Sequence, residues 1–237
     1  MLGVIGGMGP LATADFFRKL VDATPAANDE DHVPVLIHSV PQIPRRPPAI
    51  LADGESPLPA LRQVRDRLLA AGATALAMPC NTAHYWYDEL AIDCPVPFIH
   101  IVDATVAELG ERARSGARLG LIATEATLAG QVYDARLAAR GCGLLRPSPE
   151  HMQRHVLPSI AQVKQGALAE AGRTLAPAIE ALLDAGADAV VLACTETPLA
   201  LDAVESPLRA DCVDSTLALA RACVRWWQGQ RTGATAK

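Results

Sequence analysis

Aromatic residues are scarce in this chain, at 4% of 237 positions. Its core must therefore be built from aliphatic side chains and alanine, as in helix-rich α/β proteins, and half of all residues are hydrophobic. No apolar run approaches the ~20 residues of a membrane-spanning helix. Positive charge is not in excess. A formal net charge of −5 and a pI near 5.7 argue against a nucleic-acid surface. The first residues show neither the charged nor the apolar region of a signal peptide, so a cytoplasmic setting is expected. Cys-x-x-Cys is absent, which disfavours a zinc ribbon or a thioredoxin-like site.

What the chain does contain is a repeat. The run Leu68-Leu69-Ala70-Ala71-Gly72-Ala73-Thr74-Ala75-Leu76-Ala77-Met78-Pro79-Cys80-Asn81-Thr82 reads as a helix end, a glycine stop, a short buried strand and a polar elbow. Leu182-Leu183-Asp184-Ala185-Gly186-Ala187-Asp188-Ala189-Val190-Val191-Leu192-Ala193-Cys194-Thr195-Glu196 repeats it, cysteine for cysteine, at an offset of 114 (194 minus 80). Leu2-Gly3-Val4-Ile5-Gly6-Gly7-Met8-Gly9-Pro10 pairs with Leu119-Gly120-Leu121-Ile122-Ala123-Thr124-Glu125-Ala126-Thr127 at 117, and Val102-Asp103-Ala104-Thr105 with Val213-Asp214-Ser215-Thr216 at 111. Three echoes in one order imply an internal duplication. The expected fold is α/β, with two similar lobes related by a pseudo-twofold, each a mainly parallel sheet flanked by helices. Residues 1–102 are assigned to the first lobe and 103–214 to the second. A helix over about 215–228 returns to the first lobe, and 229–237 reads as a flexible tail.

Several local patterns invite a sharper reading. Gly7-Met8-Gly9-Pro10-Leu11-Ala12 fits the loose dinucleotide fingerprint, but no acid closes the second strand, which ends in His38-Ser39-Val40. A loop approaching a carboxylate with its backbone is preferred. The proline-studded stretch Pro41–Pro48 carries Arg45 and Arg46 at the carboxyl end of that strand, where open parallel sheets bind ligands. His84 lies one helical turn past Cys80, in reach either of the thiol or of the backbone. His151 and His155 stand at i and i+4, yet the zincin glutamate and a third ligand are missing, so an exposed helix face is expected and no metal is assigned.

Two cysteines on facing elbows can work as a pair of bases. A thiolate on one side of a carbon removes its proton while a thiol on the other side delivers one, which inverts a stereocentre. An untuned thiol of pKa ~8.5 is only about 3% ionised at neutral pH, a penalty of roughly 2 kcal/mol. A helix start after each cysteine is expected to offset part of it.

Gly6-Gly7-Met8-Gly9-Pro10, Pro79-Cys80-Asn81-Thr82-Ala83-His84, Gly120-Leu121-Ile122-Ala123-Thr124 and Ala193-Cys194-Thr195-Glu196 resemble the motifs of the aspartate/glutamate racemase family, and within it the aspartate racemase branch. The resemblance runs from about Leu2 to Val224. It implies an amino-acid racemase that needs no cofactor, with Cys194 serving the L-enantiomer and Cys80 the D-enantiomer. Asn81, Thr82, Thr124, Thr195 and the glycine-rich loop with Met8 and Gly9 are placed to donate to the substrate carboxylate, with Thr127 beside them. By motif position the resemblance implies Arg46 and Lys164 as further substrate contacts, and His84 and Glu196 stand behind the site. Where family members often show Pro-Asp-Arg-Thr, this chain has Pro44-Arg45-Arg46-Pro47, a departure that bears on the substrate side chain. Aspartate or glutamate is the expected substrate and a homodimer the expected assembly. A broader racemase, a hydantoin racemase, a maleate isomerase, or a binding protein for acidic metabolites are the alternatives.

Overall fold

Two parallel sheets of identical strand order make up the frame. In the computed structural model, which describes residues 1–234, the first lobe runs β1 (Leu2–Gly6), α1 (Pro10–Ala23), β2 (Val35–Ser39), α2 (Arg46–Leu51), α3 (Leu58–Ala70), β3 (Ala75–Ala77), α4 (Tyr87–Ala91) and β4 (Phe98–Ile99). After α5 (Ile101–Leu109) the second lobe follows as β5 (Arg118–Ala123), α6 (Glu125–Ala129), α7 (Asp134–Ala138), β6 (Gly143–Leu145), α8 (Pro149–His151), α9 (Leu157–Lys164), α10 (Leu168–Asp184), β7 (Ala189–Ala193), α11 (Thr197–Asp202) and β8 (Cys212–Asp214). The strand orders are β2-β1-β3-β4 and β6-β5-β7-β8, all parallel. The expected duplicated α/β architecture is thus present.

Strands buried on both faces explain the nearly unbroken apolar runs in the sequence. Leu2, Val4, Ala75, Ala77, Leu119, Leu121, Ala189 and Val191 point inward to one core shared by both lobes, which also holds Phe16, Val102 and Leu219. The alternate residues face outer layers, Ile5, Leu76 and Met78 in the first lobe and Ile122, Val190 and Leu192 in the second. Cys80 and Cys194 continue that outward parity at equivalent ends of β3 and β7. The last helix, α12 (Ser215–Ala234), packs on α1 and α5. It runs six residues beyond Gln228, where a tail had been expected to follow; residues 235–237 of that tail lie outside the described residues.

The third echo needs correction. Its offset of 111 equates Asp103 with Asp214, but Asp103 is exposed inside α5 while Asp214 is buried ahead of α12. The matching residue is His100, whose ring accepts the Val102 N–H at the start of α5, as the Asp214 carboxylate accepts Thr216 N–H and Leu217 N–H at the start of α12. That pairing restores the cysteines' own offset of 114. Two different capping residues had hidden it.

The helix that carries His151 and His155 runs on through α9 but widens to a π turn at Met152–Val156. Pro158 is the cause, since it has no N–H to give and its ring crowds the preceding turn. Helix α6 stops at Ala129, and Gln131 follows with a positive φ of 51° before α7 begins. Two glycines are required by approach. Gly7 has φ +94° and a Cβ there would lie 2.4 Å from the Val40 backbone nitrogen; Gly172 on α10 would clash at 2.3 Å with the Ala200 carbonyl of α11, the helix that follows Cys194.

Candidate active site

Both cysteine-bearing elbows open on one cleft. Its walls come from the two lobes: Met8, Arg46, Pro47, Cys80, Asn81 and Thr82 from the first, Thr124, Lys164, Ala193, Cys194, Thr195 and Glu196 from the second. Local bonds hold each elbow. The carbonyl of Cys80 accepts from His84 Nδ1 at 2.8 Å, and that of Cys194 from Thr197 Oγ1 at 2.8 Å. Because a carbonyl can only accept and the Ile101 N–H can only donate, His84 carries its proton on Nδ1 and takes the Ile101 N–H on Nε2 at 3.1 Å. His84 therefore braces the backbone of Cys80 from behind. Both of its ring nitrogens are committed to backbone groups.

Hydroxyl groups line the side between the lobes. Thr82 Oγ1 lies 2.8 Å from Thr127 Oγ1 and 3.2 Å from Thr124 Oγ1, and Thr124 and Thr127 are 2.9 Å apart, a closed ring spanning both lobes. Thr127 is the buried member of this ring and is not among the residues that line the cleft. Gly9 borders an adjoining, mainly apolar cavity together with Pro10, Ala12, Lys164 and Glu196. The glycine loop has little to offer a ligand's carboxylate at Gly7, whose N–H is already given to Thr13 Oγ1 at 2.9 Å.

Charge is distributed unequally around the two thiols. Arg46 opens α2 within the proline-studded stretch, and its Nη1 donates to the carbonyls of Ile43 and Pro44 at 3.1 and 3.0 Å. Its guanidinium stands next to Cys80. Glu196, which had been expected behind the site, lines it: Oε2 accepts from Cys194 Sγ at 3.1 Å and from Thr195 Oγ1 at 3.0 Å. Lys164 stands at the rim, 62% exposed, with Nζ 3.9 Å from Glu196 Oε1.

Residues 5–223 match the model of the family described as Asp/Glu/Hydantoin racemase. The chain belongs to that family. Racemases are isomerases, and the enzyme is one. It is 30% identical over 208 residues to the broad specificity amino-acid racemase RacX of Bacillus subtilis, covering 85% of this chain and 88% of that one. Among solved structures, Picrophilus torridus aspartate racemase superposes with a TM-score of 0.81 at 32% identity, over 94% of this chain and 92% of the other. Glutamate racemase from Francisella tularensis, in complex with D-glutamate, shares the fold with a TM-score of 0.66 at 16% identity, over 97% and 81% of the two chains.

The thiols of this racemase are less acidic than the helix-start argument expects. Burial pushes the Cys80 thiol up, against the pull of Arg46 and the Ala83 N–H; burial and the Glu196 carboxylate push Cys194 well above the ordinary range, against the Glu196 N–H and Lys164. The turns do aim N–H groups at the sulfurs. However, a short 3₁₀ turn over Thr82–Trp86 and the six residues of α11 carry too little dipole to outweigh desolvation. Both shifts favour the thiol over the thiolate. His151 and His155 bond Ser148 Oγ and the Thr174 carbonyl, and among the described residues no group of three or more His, Cys, Asp or Glu could hold a metal ion. Pro47 and Ala193 also line the cleft though neither is assigned as a contact from sequence; Pro47 is legible only as the departure after Arg46, and Ala193 only as the end of its strand.

Proposed function

We propose that this racemase interconverts L- and D-aspartate, or glutamate, by moving the Cα proton between Cys80 and Cys194. The observation that carries the reading is the placement of one cysteine from each lobe, at equivalent strand ends, on a single cleft. With the L-enantiomer bound, Glu196 takes the Cys194 proton it already accepts, and the Cys194 thiolate removes the proton from Cα. The C–H electron pair moves into the carboxylate, which becomes an enolate. Cys80 then gives its proton to the opposite face, leaving a Cys80 thiolate beside Arg46, and the proton held on Glu196 returns to that thiolate through solvent to reset the site. The D-enantiomer runs the same steps backwards.

Polar donors aimed at the carboxylate lower the enolate barrier, and Asn81, Thr82, Thr124 and Thr195 are the groups assigned to it. Met8 closes the apolar side. Arg46 and Lys164 are assigned to a side-chain carboxylate. The likeness to the P. torridus aspartate racemase supports aspartate first. A second reading, broad specificity, is favoured by two observations: Arg46 is already bonded to its own loop, and Lys164 is exposed beside an acid. The likeness to RacX points the same way.

No cofactor or metal takes part in these steps, so dialysis against EDTA and treatment with hydroxylamine are expected to leave activity intact. We assign the enzyme to the cytoplasm as a homodimer, which light scattering tests directly. The deciding experiment incubates enantiopure amino acids in heavy water and follows them by chiral chromatography and mass spectrometry. Product should carry deuterium at Cα, Cys80→Ala and Cys194→Ala should each abolish racemisation, and Cys142→Ala should leave it intact. Substantial racemisation by either elbow variant would refute the two-base scheme.

A further inference from the structure

Behind the cleft runs a buried chain of hydrogen bonds whose polarity is fixed by its last member. The Leu192 carbonyl, on the strand that delivers Cys194, can only accept, and Ser215 Oγ donates to it at 2.8 Å. Ser215 has no second proton, so the Asn81 atom 3.0 Å from it must be the donating nitrogen Nδ2. The opposite atom of the amide is then Oδ1, and the Tyr133 hydroxyl 2.6 Å away must donate to it. An amide orientation that is ordinarily ambiguous is settled here by its neighbours. Tyr133 and Ser215 are 0% exposed and Asn81 3%, so water does not compete for any of these bonds. Burial also pushes the Tyr133 phenol upward, which keeps it a donor.

We propose that Tyr133 and Ser215 are positioning residues that lock the Asn81 amide so that its remaining Nδ2–H, and not its carbonyl, meets the substrate carboxylate. The inference rests on Asn81 being a substrate contact. Tyr133 comes from the segment between α6 and α7 of the second lobe, and Asn81 adjoins Cys80 in the first. The lock therefore ties the donor beside Cys80 to the strand that carries Cys194. Without Tyr133 the amide can turn over, exchange Nδ2–H for Oδ1, and set a lone pair against the carboxylate it should bind.

A double-mutant cycle tests this. Tyr133→Phe should lower kcat/KM by about ten- to a hundredfold in an otherwise wild-type background and by less than threefold when Asn81→Ala is already present, because Tyr133 acts through Asn81. Ser215→Ala should behave in the same way and replaces Tyr133→Phe if that variant does not fold. Where Asn81→Ala leaves no measurable turnover, the same cycle is read as binding of L-aspartate by calorimetry in a Cys80→Ser/Cys194→Ser background. Equal losses with and without Asn81, or no loss in folded Tyr133→Phe protein, overturn the proposal. A wild-type protein that racemises no amino acid overturns the functional reading itself, and this inference with it.

Discussion

Cys194 Sγ donates to Glu196 Oε2 at 3.1 Å, whereas Cys80, its counterpart in the other lobe, has the Arg46 guanidinium beside it. The duplicated fold thus presents two thiols with opposite companions. One has a base that can take its proton, and the other has a cation that stabilises the thiolate once formed.

Glu196→Gln should lower kcat by about 10²–10⁴-fold, the usual worth of a positioned proton acceptor. Since the carboxylate holds the Cys194 thiol up, its removal should also shift thiolate formation at Cys194 to lower pH. Ultraviolet absorbance of the thiolate, titrated in a Cys80→Ala background, reads this directly. An unchanged titration contradicts the assignment.

Arg46→Met and Lys164→Met are expected to differ. Arg46 stands beside the Cys80 sulfur, so its loss should raise the Cys80 pKa and, on the proposed scheme, cost about tenfold or more in kcat/KM for aspartate, in line with a charge-assisted bond worth about 1.5–3 kcal/mol. Lys164 at the rim is screened by water, and its loss should cost about tenfold at most. Steady-state kinetics with aspartate and alanine separates side-chain recognition from damage to the thiol, because only the first spares alanine.

Acid should destabilise the fold through two histidines at the start of α5. His84 Nε2 and His100 Nδ1 accept the Ile101 and Val102 N–H groups, and the rings meet edge to face at 4.6 Å. Burial holds both below the ordinary value of 6.5, His100 down to about 3. The unfolded chain therefore binds more protons below pH 6.5. The stability these groups contribute is complete above that pH and is lost as pH falls toward 3, on the order of a few kcal/mol. Denaturant titrations between pH 7 and 4 should show the slope, and His100→Asn, which keeps a capping oxygen, should flatten it.

A buried ion network joins the lobes. Lys19 Nζ, on α1, lies 2.6 Å from Asp15 Oδ2 and 2.7 Å from Asp214 Oδ2, and Arg209 completes the group at 3.0 Å from Asp214. Lys19→Met leaves two buried carboxylates short of a partner and should cost about 3–5 kcal/mol in urea unfolding. Adding Asp214→Asn should recover part of that loss.

Sequence alone determined what rests on local periodicity and on repetition. Buried strands read as apolar runs, glycine stops and prolines marked the element ends, and the two cysteines stood at one offset in both copies. Those features are set by backbone sterics and by the need to bury both faces of a parallel sheet, so they are written residue by residue. Where the two copies use different chemistry for one job, as His100 and Asp214 do in capping, the repeat became misaligned.

Only the tertiary structure decided how side chains distant in sequence meet. Nothing near Tyr133 marks it as a partner of Asn81, 52 residues away, and nothing near Lys19 announces Asp214. The state of the thiols was decided in the same way. A helix start is visible in sequence, but the desolvation that overrides it depends on everything packed around the cleft. Glu196 was legible as a neighbour of Cys194, yet its aim into the cleft follows from the turn into α11 and from the bonds it accepts there. Hydrogen bonds and burial act through space, and the order of residues along a chain fixes them only once the chain has folded.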